Sequence, residues 1–205
     1  MRILRLICAL ALLPISFAAH AQQAPRVRVE TNMGSFVIEL DPVRAPLSVT
    51  NFLDYVHSGH YQGTIFHRVI ANFVAQAGGY DEKFAEKPTH ASVPNESGNG
   101  LANARGTVGM ARTGEPHSAT SQFYVNLADN VSLDPKPSRW GYAVFGRVVE
   151  GMNVVDSIGS VGTGQVGPFE RDAPLKNVVI QKIEEIGVAS TARPASPAAT
   201  APAKR

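Results

Sequence analysis

At the centre of the chain lies the stretch Phe66-His67-Arg68-Val69-Ile70-Ala71-Asn72-Phe73-Val74-Ala75-Gln76-Ala77-Gly78-Gly79. It is apolar and rich in strand-forming residues, yet it carries Arg68 and, further along, Gln76. On alternating strands, these two side chains can share one face with large apolar neighbours. An arginine that faces an apolar wall is costly to place unless it binds something. From the residues alone two structural alternatives stay open: an internal salt bridge, and a surface arginine whose stem lies over Phe66.

The segments around this stretch predict many short strands and few helices. Arg26 to Glu30 and Ser35 to Leu40 alternate apolar and polar residues on either side of a turn, which is typical of a β-hairpin. Pro46 to His57 has apolar residues at helical spacing, and a second helical stretch runs from Gly151 to Ile158. Further β-rich pieces are Thr64–His67, Phe73–Gln76, Thr107–Ala111, Gln122–Asn126, Tyr142–Val148 and Val178–Ile186. This pattern indicates a mainly β domain, either a barrel or a sandwich.

Both ends of the chain are predicted to lie outside this domain. Residues 1–21 combine an early positive region, an apolar run and the small-residue pattern Ala19-His20-Ala21, as in a cleaved secretory signal peptide. The apolar run is shorter than the ~20 residues that a membrane helix needs. Residues 188–205 are mostly Ala, Pro, Ser and Thr and predict a disordered tail. The remaining residues 22–187 are the size of one domain. Within this domain, the turn-rich region Gly78–Arg105 is long enough to line a site.

Composition excludes several classes of function for the mature chain. Removal of residues 1–21 takes away two of the 19 basic residues and none of the 17 acidic ones, which leaves 17 of each. A domain without net charge favours neither nucleic acid nor an anionic membrane as a partner. The single cysteine, Cys8, lies in the predicted signal peptide, which removes disulfides, cysteine nucleophiles and cysteine-bound zinc from consideration.

Two motifs lack the context that their chemistry needs. The segment from Gly162 to Gly167 matches the dinucleotide-binding pattern, but a predicted helix precedes it and a proline follows. A phosphate cradle needs the reverse order, a strand before and a helix after, so we interpret the segment as a loop. His57, His60 and His67 are close in sequence, but the first two fall at a helix C-terminus, where a histidine is favourable without a metal. We therefore predict no metal and no cofactor.

Three blocks of sequence resemble the cyclophilin family of peptidyl-prolyl cis/trans isomerases. The central stretch is similar to the family signature Phe-His-Arg-x-Ile-x-x-Phe-x-x-Gln-x-Gly. The second block runs from Gly106 to Arg112 and continues from Ser118 to Asn126, and the third runs from Gly141 to Val148. The blocks stand in the family order, and the likeness extends from about Val27 to Ile186. The segments Met-Ala-Arg-Thr and Gly-Tyr-Ala-Val-Phe-Gly are similar to the corresponding segments of the exported bacterial branch of the family.

The resemblance implies a fold and a site. The family fold is a closed eight-stranded antiparallel β-barrel capped by two helices, with the active site on the outside of the barrel. Arg68 would be the catalytic arginine, and Gln76 with backbone groups at Ala111 and Arg112 would hold the peptide chain. The residues expected to form the proline pocket are Phe73, Val74, Phe123, Tyr124, Leu133 and Tyr142.

The implied activity is rotation about X–Pro peptide bonds, which needs no cofactor because no covalent bond is broken. Proline-containing unfolded or extended polypeptides would be the partners, and the signal peptide together with the bacterial likeness places the protein in the periplasm. We expect a monomer that binds neither nucleic acid nor, after signal cleavage, a membrane. A holdase that uses the same groove without turnover is an alternative, as is a barrel with a vestigial groove. The presence of both Arg68 and Gln76 favours the enzyme.

The chain departs from the family pattern in ways that concern inhibitors more than catalysis. Val74 replaces a methionine and Tyr124 a phenylalanine, which makes a shallower or more polar pocket. Tyr142 stands where many relatives have histidine. Ser132 stands where eukaryotic relatives have the tryptophan that binds cyclosporin, so we expect cyclosporin binding to be weak.

Overall fold

The structure is a computed structural model that describes residues 24–187, and in it eight strands close into one antiparallel barrel. The predicted signal peptide and the predicted tail lie outside the described residues. The strands are β1 Arg26–Thr31, β2 Gly34–Leu40, β3 Thr64–Ile70, β4 Val74–Asp81, β5 Thr107–Met110, β6 Phe123–Asn126, β7 Val144–Glu150, β8 Thr163–Val166, β9 Phe169–Pro174 and β10 Val179–Ile186. The helices are α1 Pro46–His57, α2 Met152–Gly159 and a short 3-10 helix, Val131–Leu133. The strand order around the barrel is β1-β10-β3-β4-β6-β5-β7-β2, and strands β8 and β9 form a separate hairpin.

The barrel and its two helices confirm the predicted fold class. The first hairpin pairs Arg26 with Glu39 and Val29 with Phe36, and its inward residues are buried as the alternation predicts. Helix α1 spans the predicted residues. Its N-terminal amides at Leu47 and Ser48 donate to the carboxylate of Glu96, at 3.0 and 2.8 Å, which satisfies two of the donors that a helix start leaves open. No helix in residues 24–187 is long and apolar enough to span a membrane.

Aromatic side chains dominate the barrel interior. Phe52 of α1 lies 5.1 to 5.5 Å, between ring centroids, from Phe123, Phe145 and Tyr61. All four rings are at most 1% exposed, and they meet in tilted or edge-to-face pairs that favour aromatic contact. Burial of an aromatic side chain contributes roughly 2–3 kcal/mol, so Phe52 helps to fix α1 to the barrel.

The structure differs from the sequence predictions at strand β4 and in the β8–β9 hairpin, among other places. Strand β4 continues to Asp81, so the long connection begins later than Gly78. The segment Gly162–Gly167, interpreted as a loop, is largely strand β8, which forms a hairpin with β9. Strand β9 in turn packs beside β3. This segment leads through a turn into an antiparallel strand and not into a helix N-terminus, so it offers no phosphate cradle.

Candidate active site

Arg68 and Gln76 lie side by side on the outer face of neighbouring strands. The β3–β4 register pairs the two residues directly, and an Nη1–H of Arg68 donates to Oε1 of Gln76 at 3.3 Å. The turn between the strands uses Asn72 at a φ of 58°, a left-handed conformation that asparagine tolerates better than most residues. The sequence prediction that Arg68 and Gln76 share a face agrees with this arrangement.

The surroundings of Arg68 decide between the structural alternatives. No carboxylate within residues 24–187 lies within 4.0 Å of its guanidinium, so an internal salt bridge is not formed there. Phe66 is buried among the core residues and offers no surface for the arginine stem. The guanidinium carbon lies instead 6.0 Å from the ring centroid of Phe73, at the edge of cation–π range. Arg68 is half-buried, with its charge available to a ligand.

A second amide continues this polar row. Nε2 of Gln76 donates to Oε1 of Gln122 at 2.9 Å, so Gln122 orients the side chain of Gln76. Gln76 in turn orients Arg68. Gln122 lies flat across Gly79, where a Cβ atom would come within 2.5 Å of its Nε2. Gln122 was not among the predicted site residues, although it lies within the second sequence block. The feature of the sequence that could have indicated Gln122 is its position directly before β6.

Val74 and Tyr124 form an apolar floor next to the polar row. The register pairs Gln76 with Tyr124, and Val74 lies two residues before Gln76 on the same face of β4. Both Val74 and Tyr124 are 3% exposed and lie outside the interior cluster. Gly109 of β5 faces Tyr124, and a Cβ atom there would lie 2.3 Å from the phenol oxygen. The glycine makes room for the tyrosine.

The structure places Phe123, one of the predicted pocket residues, on the other side of the sheet. It is fully buried, and its ring contacts Phe52 and Tyr61 in the barrel interior at centroid distances of 5.5 Å. Successive residues of a strand point to opposite faces, so Phe123 and Tyr124 cannot both line one surface. We therefore remove Phe123 from the substrate-binding set and regard it as support for the wall from within.

Tyr142 and Arg112 form the next part of the rim. The rings of Tyr124 and Tyr142 meet edge to face at 6.2 Å, and the guanidinium carbon of Arg112 lies 4.3 Å from the centroid of the Tyr142 ring. The same guanidinium donates to the carbonyl oxygens of Gly141 at 3.2 Å and Trp140 at 3.0 Å. The Arg112 side chain therefore holds Tyr142 in place.

The predicted backbone role of Ala111 is only partly possible. Its N–H already donates to the carbonyl of Gln122 at 2.9 Å, which extends the pairing of β5 and β6 by one residue. Arg112 comes next, beyond the end of β5. Its backbone N–H makes no hydrogen bond with any group in residues 24–187, so this N–H is the one that could meet a peptide.

Leu133 closes the site from the 3-10 helix. The N–H of Tyr142 donates to the carbonyl of Leu133 at 2.9 Å, and the N–H of Leu133 donates to the carbonyl of Asn130 at 2.8 Å. Nδ2 of Asn130 in turn donates to the carbonyl of Phe73 at 2.8 Å. These bonds join Phe73, Leu133 and Tyr142, three residues that lie far apart in sequence, into one wall.

A buried polar network fixes the floor beneath this wall. The Tyr124 hydroxyl donates to Oδ1 of Asn103 at 2.6 Å, and the same oxygen accepts from Nδ2 of Asn126 at 3.3 Å. The N–H and the Nδ2 of Asn103 both donate to Oδ1 of Asp134, at 2.7 and 2.9 Å. Burial raises the pKa of Tyr124 well above its usual value, so the hydroxyl stays a donor at working pH. Sequence reasoning missed Asn103, because only barrel closure brings it below Tyr124.

His67 lies next to Arg68 on β3, but its side chain is buried. Its ring packs against Tyr80 and Phe169 at centroid distances of 4.8 and 5.6 Å, and burial lowers its pKa to about 4. It is therefore neutral near pH 7. Of the other two histidines considered as metal ligands, His57 binds the carboxylate of Glu185 at 2.9 Å and His60 meets the carbonyl of Gly78 at 3.1 Å. The three rings have separate partners and do not converge on one point.

Comparison with known proteins agrees with this fold. Residues 26–185 match the family described as cyclophilin type peptidyl-prolyl cis-trans isomerase/CLD. The chain is 49% identical over 177 residues to peptidyl-prolyl cis-trans isomerase A of Dickeya dadantii, covering 86% of this chain and 93% of the relative. It is 46% identical over 160 residues to peptidyl-prolyl cis-trans isomerase B of Escherichia coli, covering 77% and 97%. A solved cyclophilin-type structure from Cryptosporidium parvum matches with a TM-score of 0.66 at 24% identity, over 80% of this chain and 99% of that one, which supports the fold.

The closed eight-stranded barrel with its two helices is the fold of the cyclophilin-type proteins. The chain belongs to the cyclophilin-type peptidyl-prolyl cis/trans isomerases. It accelerates the interconversion of cis and trans X–Pro peptide bonds.

Proposed function

We propose that Arg68 is the catalytic residue and that the proline ring binds in the apolar pocket beside it. The observation that carries this proposal is the placement of Arg68: half-buried, tied only to the amide of Gln76, and free of any carboxylate in the described chain. The pocket residues of the proposal are Phe73, Val74, Tyr124, Leu133 and Tyr142. Gln76 and the backbone of Arg112 bind the flanking peptide chain.

The mechanism follows from the physics of the amide bond. Rotation about a peptide bond meets a barrier of ~18–20 kcal/mol because the C–N bond has partial double-bond character. In the twisted transition state the conjugation is lost, and the proline nitrogen becomes pyramidal and basic. A guanidinium N–H of Arg68 donates to this nitrogen and so stabilises the twisted state more than either planar state.

The pocket and the polar row divide the substrate into a fixed half and a rotating half. The apolar floor holds the proline ring, while Gln76 and the chain beyond β5 hold the flank. Lowering the barrier by ~7 kcal/mol gives roughly 10⁵-fold acceleration. The proposed step needs no titrating base.

Binding of the substrate can be mapped without reference to turnover. Titration of the ¹⁵N-labelled protein with a peptide that contains one Ala-Pro bond should shift the side-chain amide signals of Gln76 and Gln122 and the backbone signal of Arg112. The amide signal of Asn32, at the turn between β1 and β2, serves as the reference that stays unchanged. Shifts confined to residues outside the groove would overturn the proposed site.

We further propose that the substrates are exported polypeptides and that the protein works as a monomer in the periplasm. The support is the pattern of residues 1–21 and the likeness to bacterial relatives. Fractionation of Gram-negative cells that express the full chain tests the location, and the mass of the purified protein gives the cleavage site. We expect a periplasmic protein that begins at Gln22. A full-length chain in the cytoplasm would overturn the location while leaving the activity untouched.

A further inference from the structure

We propose that the positively charged rim beside the proline pocket selects X–Pro segments that carry an aspartate or glutamate close to the proline. The basic rim comprises Arg112, Lys136, Arg139 and the exposed Trp140. This inference rests on the proposed function of the neighbouring pocket, and it adds the chemical class of the preferred substrate.

The basic rim is built on a loop that rises directly from the pocket wall. The loop leaves Leu133 and returns at Tyr142, and the bond from the Tyr142 N–H to the Leu133 carbonyl closes its base. Within the loop, Lys136 and Arg139 pair through reciprocal backbone hydrogen bonds of 2.9 and 3.0 Å. Nη2 of Arg139 donates to the carbonyl of Ser132 at 2.6 Å, which places this charge next to the pocket.

The charges of the basic rim are not neutralised by the described chain. No carboxylate in residues 24–187 lies within 4.0 Å of Arg112, Lys136 or Arg139. The two arginines donate to backbone carbonyl oxygens, which are uncharged and do not neutralise the guanidinium groups. The acidic residue of the same loop, Asp134, is committed to Asn103 below the pocket.

Trp140 adds an aromatic surface to these charges. Its side chain is 46% exposed, and its ring meets His117 edge to face at 5.1 Å while its carbonyl accepts from Arg112. A large aromatic surface next to a charge excludes water and strengthens an ion pair formed there. A residue of this kind on a solvent-exposed loop is suited to contact with a partner.

Electrostatic complementarity points to an acidic occupant. Each residue of an extended peptide spans about 3.3–3.6 Å, so a carboxylate within two or three residues of the proline can reach the basic rim. The test therefore compares substrates that differ in charge and not in length.

The experiment measures catalytic efficiency, kcat/KM, by NMR exchange on matched peptides with one Ala-Pro bond. Glutamate, glutamine or lysine is placed two residues before or two residues after the proline. On at least one side we expect the glutamate peptide to exceed the lysine peptide by about threefold or more at low salt, as for a solvent-exposed ion pair. The ratio should approach one in 1 M salt, where the Debye length falls to about 3 Å.

The variant that tests the role of the basic rim reverses one of its charges. Lys136→Glu should lower the glutamate-to-lysine ratio by at least about half and leave the glutamine peptide unchanged. Lys176→Glu is the matched control: it makes the same charge change on an exposed residue near the turn between β1 and β2, and it should leave the ratio as in the wild type.

The outcomes separate this inference from the activity itself. Equal efficiency for all three peptides on both sides of the proline, with the Ala-Pro bond still isomerised, would overturn the acidic preference alone. An equal change in Lys136→Glu and Lys176→Glu would also overturn it, because net charge and not the basic rim would then be responsible. A folded protein that isomerises none of the peptides would instead overturn the proposed function.

Discussion

Replacement of Arg68 by alanine should abolish most of the catalysis while the barrel stays folded. Loss of one preorganised donor to a developing charge typically lowers kcat by about 10²–10³-fold, or roughly 3–4 kcal/mol. That is about half of the ~7 kcal/mol by which the barrier is lowered in the proposed mechanism. We therefore expect kcat/KM to fall by at least about 100-fold, with residual catalysis from the pocket. Arg68→Lys should lie between alanine and wild type, because lysine keeps the charge but lacks the planar fork.

The same variant should change stability little. Within the described chain, the Arg68 side chain makes one 3.3 Å bond to Gln76 and a distant contact with Phe73 at 6.0 Å. Contacts of this kind contribute about 0.5–1.5 kcal/mol each at most, so the free energy of unfolding should change by about 1 kcal/mol. A large loss of activity in a protein of nearly unchanged stability would separate catalysis from folding.

The assay is NMR exchange between the cis and trans forms of an Ala-Pro peptide, with urea unfolding measured on the same samples. Arg44→Ala is the control, since Arg44 is an exposed arginine that pairs only with Asp41 next to α1. It should retain wild-type activity. A folded Arg68→Ala protein with wild-type kcat/KM would refute the role of the guanidinium and leave the pocket as the source of catalysis.

Three further changes test other parts of the site. Tyr124→Phe removes the 2.6 Å hydrogen bond to Asn103 and should lower the free energy of unfolding, measured in urea, by about 1–2 kcal/mol. The control Tyr142→Phe should lower it by less than half as much. Equal losses in the two variants would contradict the buried network. Activity should stay nearly flat from about pH 6 to 9. The free energy of unfolding should fall by up to about 3 kcal/mol as the pH drops from 6.5 towards 4. The reason is that burial lowers the pKa of His67 to about 4, so the unfolded chain binds the extra proton at a higher pH than the folded chain. His67→Gln should flatten that slope, and an unchanged slope would assign it to other groups. Ser132→Trp should bind cyclosporin at least roughly tenfold more tightly than the wild type, about 1.4 kcal/mol by calorimetry, and tight binding by the wild type would contradict the expected weakness.

The fold could be predicted from the sequence because its local signals agree with one another. The alternation in β1 and β2 and the helical spacing from Pro46 to His57 match the elements of the structure. Arg68 and Gln76 could also be placed together, since a short turn joins their strands and fixes the register.

The errors have equally local causes. Phe123 was assigned to the pocket by position in the family, although strand alternation places it opposite Tyr124. Strand β8 was missed because Thr163 to Val166 is short and polar, with little of the apolar alternation that marks a strand.

The polar network below the pocket lay beyond sequence reasoning for a different reason. Asn103 lies in the connection between β4 and β5, whereas Asn126 ends β6 and Asn130 follows it, so Asn103 meets the other two only when the barrel closes. Asparagine in a loop carries no sign of whether its amide faces water or another side chain. The pairing of Gly109 with Tyr124 could have been suspected, since a glycine in a strand often marks the close approach of another group.

The most direct test of the central claim is the exchange rate of an X–Pro bond in the presence of the purified protein. With a catalytic amount of the wild-type chain, the cis and trans signals of an Ala-Pro peptide should exchange many times faster than in buffer, and the equilibrium cis fraction should stay the same. Exchange no faster than in buffer, from a sample whose spectrum shows a folded barrel, would contradict the isomerase activity.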